Sequence, residues 1–237
     1  MRSRNRRQSE RVQLITPFTR ILEQLIRACP GALGAAFVDA EGETVDYAGV
    51  IETFAIKIAA AHMRILLHEV SRLPALGAES TRELILRGQK RTFCIRAMPE
   101  GYAIVLVLAR GVGSVSSRAM QVAERRLASE AALPVCFRRS ETLWYPADVE
   151  TALKDRWRPK IVRLGTTWEP LDTVLGAVAG LPSREKGFRV RLRSGAELTL
   201  IREPGAHWYT DEPAAELIPS SCNRNRGCRG GTREGAH

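Results

Sequence analysis

The chain has 237 residues, 44% of them hydrophobic, and a formal net charge of +10; that length holds one large domain or two small ones. The charge is concentrated at the ends, with net +4 over residues 1–11 and +3 over 220–237, against +2 over 12–134 and +1 over 135–219, so a basic groove is not demanded of the folded parts. Five scattered cysteines exclude a disulfide framework and fit reduced thiols. The apolar run Ala103–Ala109 is far short of the ~20 residues that span a bilayer, and the basic start MRSRNRR is followed by too little apolar sequence for a signal peptide. No membrane insertion and a cytoplasmic location are expected.

Thr16 before Pro17 predicts a helix start, since the hydroxyl can satisfy a free N–H and proline at the first helical position leaves none unpaired. Phe18, Ile21, Leu22, Leu25 and Ile26 then recur on one helical face until Pro30-Gly31. Residues 33–38 and 43–48 flank Asp39-Ala40-Glu41-Gly42 and predict a β-hairpin. Residues 52–73 have no internal Gly or Pro and predict the main helix. Residues 81–87, 90–98 and 102–109, separated by Gly88-Gln89 and Pro99-Glu100-Gly101, predict three antiparallel strands. A closing helix over 114–132, ended by Pro134, completes the order α-β-β-α-β-β-β-α.

Composition then changes. All four tryptophans, Trp144, Trp157, Trp168 and Trp208, follow residue 140, which places a boundary near Leu133-Pro134. Strands are expected over 160–164, 187–193, 197–202 and 207–209, with a short helix over 148–155. Phe188, Val190 and Leu192 alternate with Arg189, Arg191 and Arg193, the pattern of a sheet with one buried face. The expected division is a disordered basic arm (1–11), an α/β domain (12–134), a small β-rich domain of unknown role (135–218) and a disordered Arg/Gly-rich tail (219–237).

The long helix is apolar on more than one face. Ile56, Ile58, Ala59, Ala60, Ala61, Met63, Ile65, Leu66, Leu67 and Val70 leave only a narrow polar stripe along Lys57, Arg64, His68 and Ser71. A helix lying on one sheet buries one stripe, so a second partner is expected, either another copy of the chain or the C-terminal region. The candidate dimer or partner interface is Ile56, Ala59, Ala60, Met63, Ile65, Leu66, Leu67 and Val70.

With its helix, Pro-Gly break, small-residue strand and acidic-glycine turn, the segment FTRILEQLIRACPGALGAAFVDAEGETV resembles the Roadblock/LC7 family. The alanine-rich helix ETFAIKIAAAHMRILLHEV, then ELILRG and TFCIRAMPEGYAIVLVLA, extend the resemblance over residues 14–133, and nothing beyond them contributes. The resemblance implies a profilin-like α/β (α+β) fold with a five-stranded antiparallel sheet between helices. It also implies a homodimer joined through the long helix and a continued sheet, serving as a platform for a Ras-like small GTPase or a scaffold complex. It carries over no catalytic group.

Signatures of catalysis are incomplete. No P-loop spacing occurs, so the chain is not itself expected to be the GTPase. Gly111-Val112-Gly113-Ser114 joins a strand to a helix but lacks a third glycine. His68-Glu69-Val70-Ser71-Arg72 has arginine where a zinc-protease helix carries its second histidine; His62 and His68 are six apart, off the spacing that would aim both at one ion. Cys136 stands beside Arg138 and Arg139, and Cys222, Cys228 and His237 form no set of four ligands. No enzyme activity, cofactor or metal is expected. The expected function is a regulatory or scaffolding homodimer that binds or modulates a Ras-like small GTPase. The alternative is a nucleic-acid-associated protein binding through the C-terminal β-rich domain and the basic tails, because Trp157-Arg158-Pro159-Lys160, the Arg189, Arg191, Arg193 ladder and His207-Trp208-Tyr209 interleave basic and aromatic residues.

Overall fold

The computed structural model describes residues 15–73, 81–112, 115–134, 141–153 and 155–213. Helix α1 (Pro17–Ala28) starts where the Thr16-Pro17 pair places it. The Thr16 hydroxyl accepts from the Thr19 N–H, and the Thr19 hydroxyl accepts from the Thr16 N–H, each at 3.1 Å. Thr19 also donates to the Asp46 carboxylate at 2.7 Å, which ties the helix start to the sheet.

Strands β1 (Ala32–Val38) and β2 (Thr44–Gly49) form the first hairpin, α2 covers Thr53–Ser71, and β3 (Glu83–Arg87), β4 (Arg91–Ala97) and β5 (Ala103–Ala109) follow before α3 (Ser117–Glu130). The five strands form one antiparallel sheet in the order β2-β1-β5-β4-β3. On one face, Leu22, Leu25, Met120 and Leu127 of α1 and α3 bury Phe37, Leu106 and Leu108. On the other, Ile56, Ala60, Met63 and Leu67 of α2 cover Ala36, Val38, Ile95 and Val105. Central β5 is therefore buried on both faces, which explains its unbroken apolar run AIVLVLA. Where β1 meets β2, Gly34 pairs with Gly49. Gly49 has φ +115°, and a methyl group there would overlap the Leu33 carbonyl oxygen and the Gly34 backbone.

The C-terminal region is a closed six-stranded barrel of β6 (Tyr145–Ala152), β7 (Asp155–Leu164), β8 (Thr167–Ala177), β9 (Lys186–Leu192), β10 (Glu197–Arg202) and β11 (Trp208–Thr210). Each strand pairs with its neighbour in sequence, and β11 closes onto β6. Val162, Val190, Leu192, Leu198, Leu200 and Trp208 fill the interior. The structure corrects two sequence expectations. Residues 148–152, expected as part of a helix, are strand, with the alternating exposure of a pleat. Strand β8 was not anticipated: Pro170 and Gly176 interrupt its pattern, and its pairing with β9 is irregular in register.

The barrel sits against the α1/α3 side of the first sheet. Tyr209 and Trp144 pack into the core beneath those helices. Arg118 of α3 donates to Glu185 at 2.7 Å and Glu203 at 2.6 Å and lies 4.9 Å from the Trp144 ring centroid. Gln121 accepts from the Trp144 N–H at 2.8 Å and donates to the Thr142 carbonyl at 3.0 Å. A buried ion-pair network continues this seam, with Arg96 to Glu124 at 2.8 Å and Arg82 to Glu124 and Glu141 at 3.2 and 3.1 Å. Among the described residues, no helix is long and apolar enough to cross a membrane. The basic arm, the Arg/Gly-rich tail and residues 135–140, just after the expected boundary at Leu133-Pro134, lie outside the described residues.

Candidate functional site

Helix α2 begins at Glu52, whose carboxylate accepts from the Phe54 and Ala55 N–H groups at 2.9 Å each. These bonds hold the Glu52 carboxyl below its ordinary pKa. The polar stripe of α2 is engaged toward β2 and the β4–β5 turn: the Lys57 ammonium lies 5.6 Å from the Tyr47 ring centroid, and Arg64 donates to the Gly101 carbonyl at 3.0 Å. With one side pinned there, the apolar second stripe faces the opposite edge of the sheet, formed by β3.

Of the eight candidate interface residues, Ile56, Ala60, Met63 and Leu67 are buried against the chain's own sheet, and Ala59 and Val70 are half-buried. Ile65 and Leu66 are exposed, by 57% and 41%. The exposed face also includes Phe54 at 70% and Ile58 at 42%, which were not in the sequence-derived set. Their spacing could have placed them there: Phe54, Ile58 and Ile65 recur four and seven apart, on a second helical stripe beside the sheet-facing one. Leu86 of β3, 45% exposed, and its cross-strand partner Phe93 supply the sheet side.

Together these residues line an open groove of ≈ 820 Å³, with His62 at the helix wall and Arg91 at the strand end. The groove runs along β3, which has β4 on one side and forms the edge of the sheet on the other. An apolar trough beside an open strand edge offers two complementary kinds of contact, side-chain burial and backbone hydrogen bonding. The barrel does not cover it, because the barrel packs on the α1/α3 side. Among the described residues, the C-terminal region therefore does not sandwich α2.

Other residues with chemical potential are placed apart. His62 lines the groove, while His68 lies exposed on α2. Burial pushes the Cys29 and Cys94 thiols up to about 12 each, which is the opposite of nucleophile activation. No group of three or more His, Cys, Asp or Glu side chains with metal-binding geometry occurs among the described residues. Cys136, Cys222, Cys228, His237 and Gly113-Ser114 lie outside them. In the barrel, Arg189 and Arg191 of the expected basic ladder are ion-paired to Glu197, and Trp208 and Tyr209 are buried.

No family model matches the sequence, and no curated protein matches it. Solved structures with a likeness include the gliding protein MglB from Thermus thermophilus, at 20% identity and a TM-score of 0.43, over 51% of this chain and 95% of that one. Myxococcus xanthus MglB is similar at 13% identity and a TM-score of 0.43, over 51% of this chain and 98% of that one. A Roadblock/LC7 domain from Streptomyces avermitilis is similar at 12% identity and a TM-score of 0.36, over 47% of this chain and 88% of that one. At these identities and scores the likenesses establish no activity, partner or assembly. By its own element order and strand order, the N-terminal part of the chain has a Roadblock/LC7-like α/β fold.

Proposed function

We propose that the chain is a non-catalytic regulatory or scaffolding protein that homodimerises through α2 and the β3 edge, and that the dimer docks a Ras-like small GTPase. The observation that carries the dimer is the exposed apolar stripe Phe54, Ile58, Ile65 and Leu66 beside an open strand edge. A second copy related by a two-fold axis presents the same stripe and the same edge, so one patch satisfies itself. In this reading residues 12–134 form the dimerisation and docking domain, and residues 135–218 form an appended domain that selects a further target.

The GTPase rests on the resemblance of residues 14–133 to the Roadblock/LC7 family, which implies such a partner. Its test is direct: the purified full-length chain is titrated against the small GTPases of its own cell, each loaded with GDP or with a non-hydrolysable GTP analogue. Binding that prefers one nucleotide state supports the partner. A well-formed dimer that binds none of them in either state sinks the GTPase claim and leaves the scaffold.

A further inference from the structure

A second concave site lies on the barrel, away from α2. It is an open cleft of ≈ 500 Å³ walled by β6 residues Ala147–Val149 and closed by Arg156, Trp168, Arg202 and Trp208. Arg189 and Arg191 share the single carboxylate of Glu197, and Arg163 pairs with Asp148 at 3.3 Å, whereas Arg156 and Arg202 form no ion pair among the described residues. Instead both are held over the ring of Trp157, with guanidinium carbons 4.1 Å (Arg202) and 5.7 Å (Arg156) from its centroid; Arg202 also lies 6.0 Å from the Trp208 ring. Asp148 lines the cleft too, but its charge is taken up by Arg163, so it does not cancel this pair.

Two guanidiniums that line one cleft and lie near one aromatic ring repel each other. Partial burial, followed by the charge of Arg156, holds Arg202 below the ordinary arginine pKa. An anion entering between them relieves that repulsion and gains charge-assisted, forked hydrogen bonds. Trp168 stands on the same cleft with 44% of its surface exposed, a large ring left in water. A ligand that satisfies both features carries an anionic group and a flat aromatic ring together.

We propose that this cleft binds a nucleotide unit, with its phosphate on Arg156 and Arg202 and its base stacked on Trp168. The unit can be a free nucleotide or one residue of a single strand, since both present the same base and phosphate. The expected basic ladder, whose Arg189 and Arg191 share the Glu197 carboxylate and whose residues do not line the cleft, plays no part in this site.

The test uses the full-length chain and isothermal titration with adenosine monophosphate, adenosine, inorganic phosphate and a short deoxythymidylate oligomer. Adenosine monophosphate is expected to bind at least about tenfold more tightly than adenosine or phosphate, and its affinity should fall as salt rises. Arg156→Gln should weaken it about tenfold or more, and Trp168→Ala about fivefold or more. Both side chains are exposed, so the variants should keep the wild-type circular dichroism and assembly mass. Arg202→Gln is the stronger variant, and if it fails to fold, the Arg156 substitution still decides. Tighter binding of the oligomer than of the mononucleotide identifies a single strand as the source, and the reverse identifies a free nucleotide. Phosphate binding as well as the nucleotide, no binding of any probe, or full affinity in both exposed variants would overturn the proposal.

Discussion

Replacing Ile65 with glutamate tests the α2 interface at a position that the monomer's own core does not use. Full burial of a large aliphatic or aromatic side chain contributes about 2 kcal/mol. Scaled by their exposures, Phe54, Ile58, Ile65, Leu66 and Leu86 leave about 5 kcal/mol of burial unrealised per protomer, and about 10 kcal/mol across a two-fold pair. Association itself costs roughly 4–15 kcal/mol, so the apolar stripe and the β3 hydrogen bonds together must supply any net affinity. Ile65→Glu removes about 1 kcal/mol of that burial from each protomer and forces a carboxylate into the seam at a cost of at least about 1 kcal/mol more. Two-fold symmetry counts each change twice. The total of about 4 kcal/mol corresponds to a dissociation constant raised about a thousandfold. Light scattering during size-exclusion chromatography over a wide concentration range reads the change, with thermal unfolding as a control for the fold. A wild-type chain that stays monomeric at every concentration, or an Ile65→Glu variant with undiminished dimer mass, refutes the reasoning. Met63→Glu is a poor substitute, because Met63 is only 2% exposed and its loss would damage the fold as well as the seam.

Glu124→Leu should destabilise the chain by about 3 kcal/mol in urea unfolding, because it removes the carboxylate 2.8 Å from the buried Arg96 guanidinium and leaves it only the more distant Glu83 and Glu141, at 3.7 and 4.0 Å. Gly49→Ala should cost at least about 2 kcal/mol in the same assay, given the positive φ and the overlap with the neighbouring β1 backbone. Burial raises the pKa of the Glu141 carboxyl, but hydrogen bonds from Gln121 and Arg82 and the charges of Arg82 and Arg96 outweigh it, and the net shift is downward. A carboxyl lowered on folding stabilises the native state above its ordinary pKa, and that contribution disappears as pH falls through the native value. Glu141→Gln should therefore flatten the acid side of the stability–pH profile, which an unchanged profile would contradict. Cys29 and Cys94, with thiols pushed up to about 12, should remain unmodified by a thiol reagent at pH near 8 until the chain unfolds, as peptide mapping by mass spectrometry would show.

The N-terminal fold was legible because its signals are local. Thr16-Pro17 fixes a helix start within one turn, and the hairpin turns carry their own glycines. The unbroken run in β5 marks a strand buried on both faces. The barrel was legible only in part. Its closure depends on β11 meeting β6, a pairing between residues about sixty apart that no window of sequence contains. Residues 148–152 have a composition compatible with a helix, but the pairing partners on both sides of β6 impose the strand. Part of the groove was visible in Ala59, Met63, Ile65 and Leu66. Leu86 and Phe93 were not, because only the sheet order brings that hairpin beside α2.

The contrast between a closed barrel and an open sheet limits how large an assembly this chain can build by adding strands. In the barrel every strand has a neighbour on each side, so it offers no starting point for addition. The sheet ends in β2 and β3, and the two ends are not equivalent. Strand β2 carries a register shift where it meets Val38 and has Asp46 engaged by the α1 cap. It is a poor template for a further strand. Under the proposed pairing through β3, a protomer with one receptive edge pairs once and stops, giving a finite, discrete particle in place of a fibre.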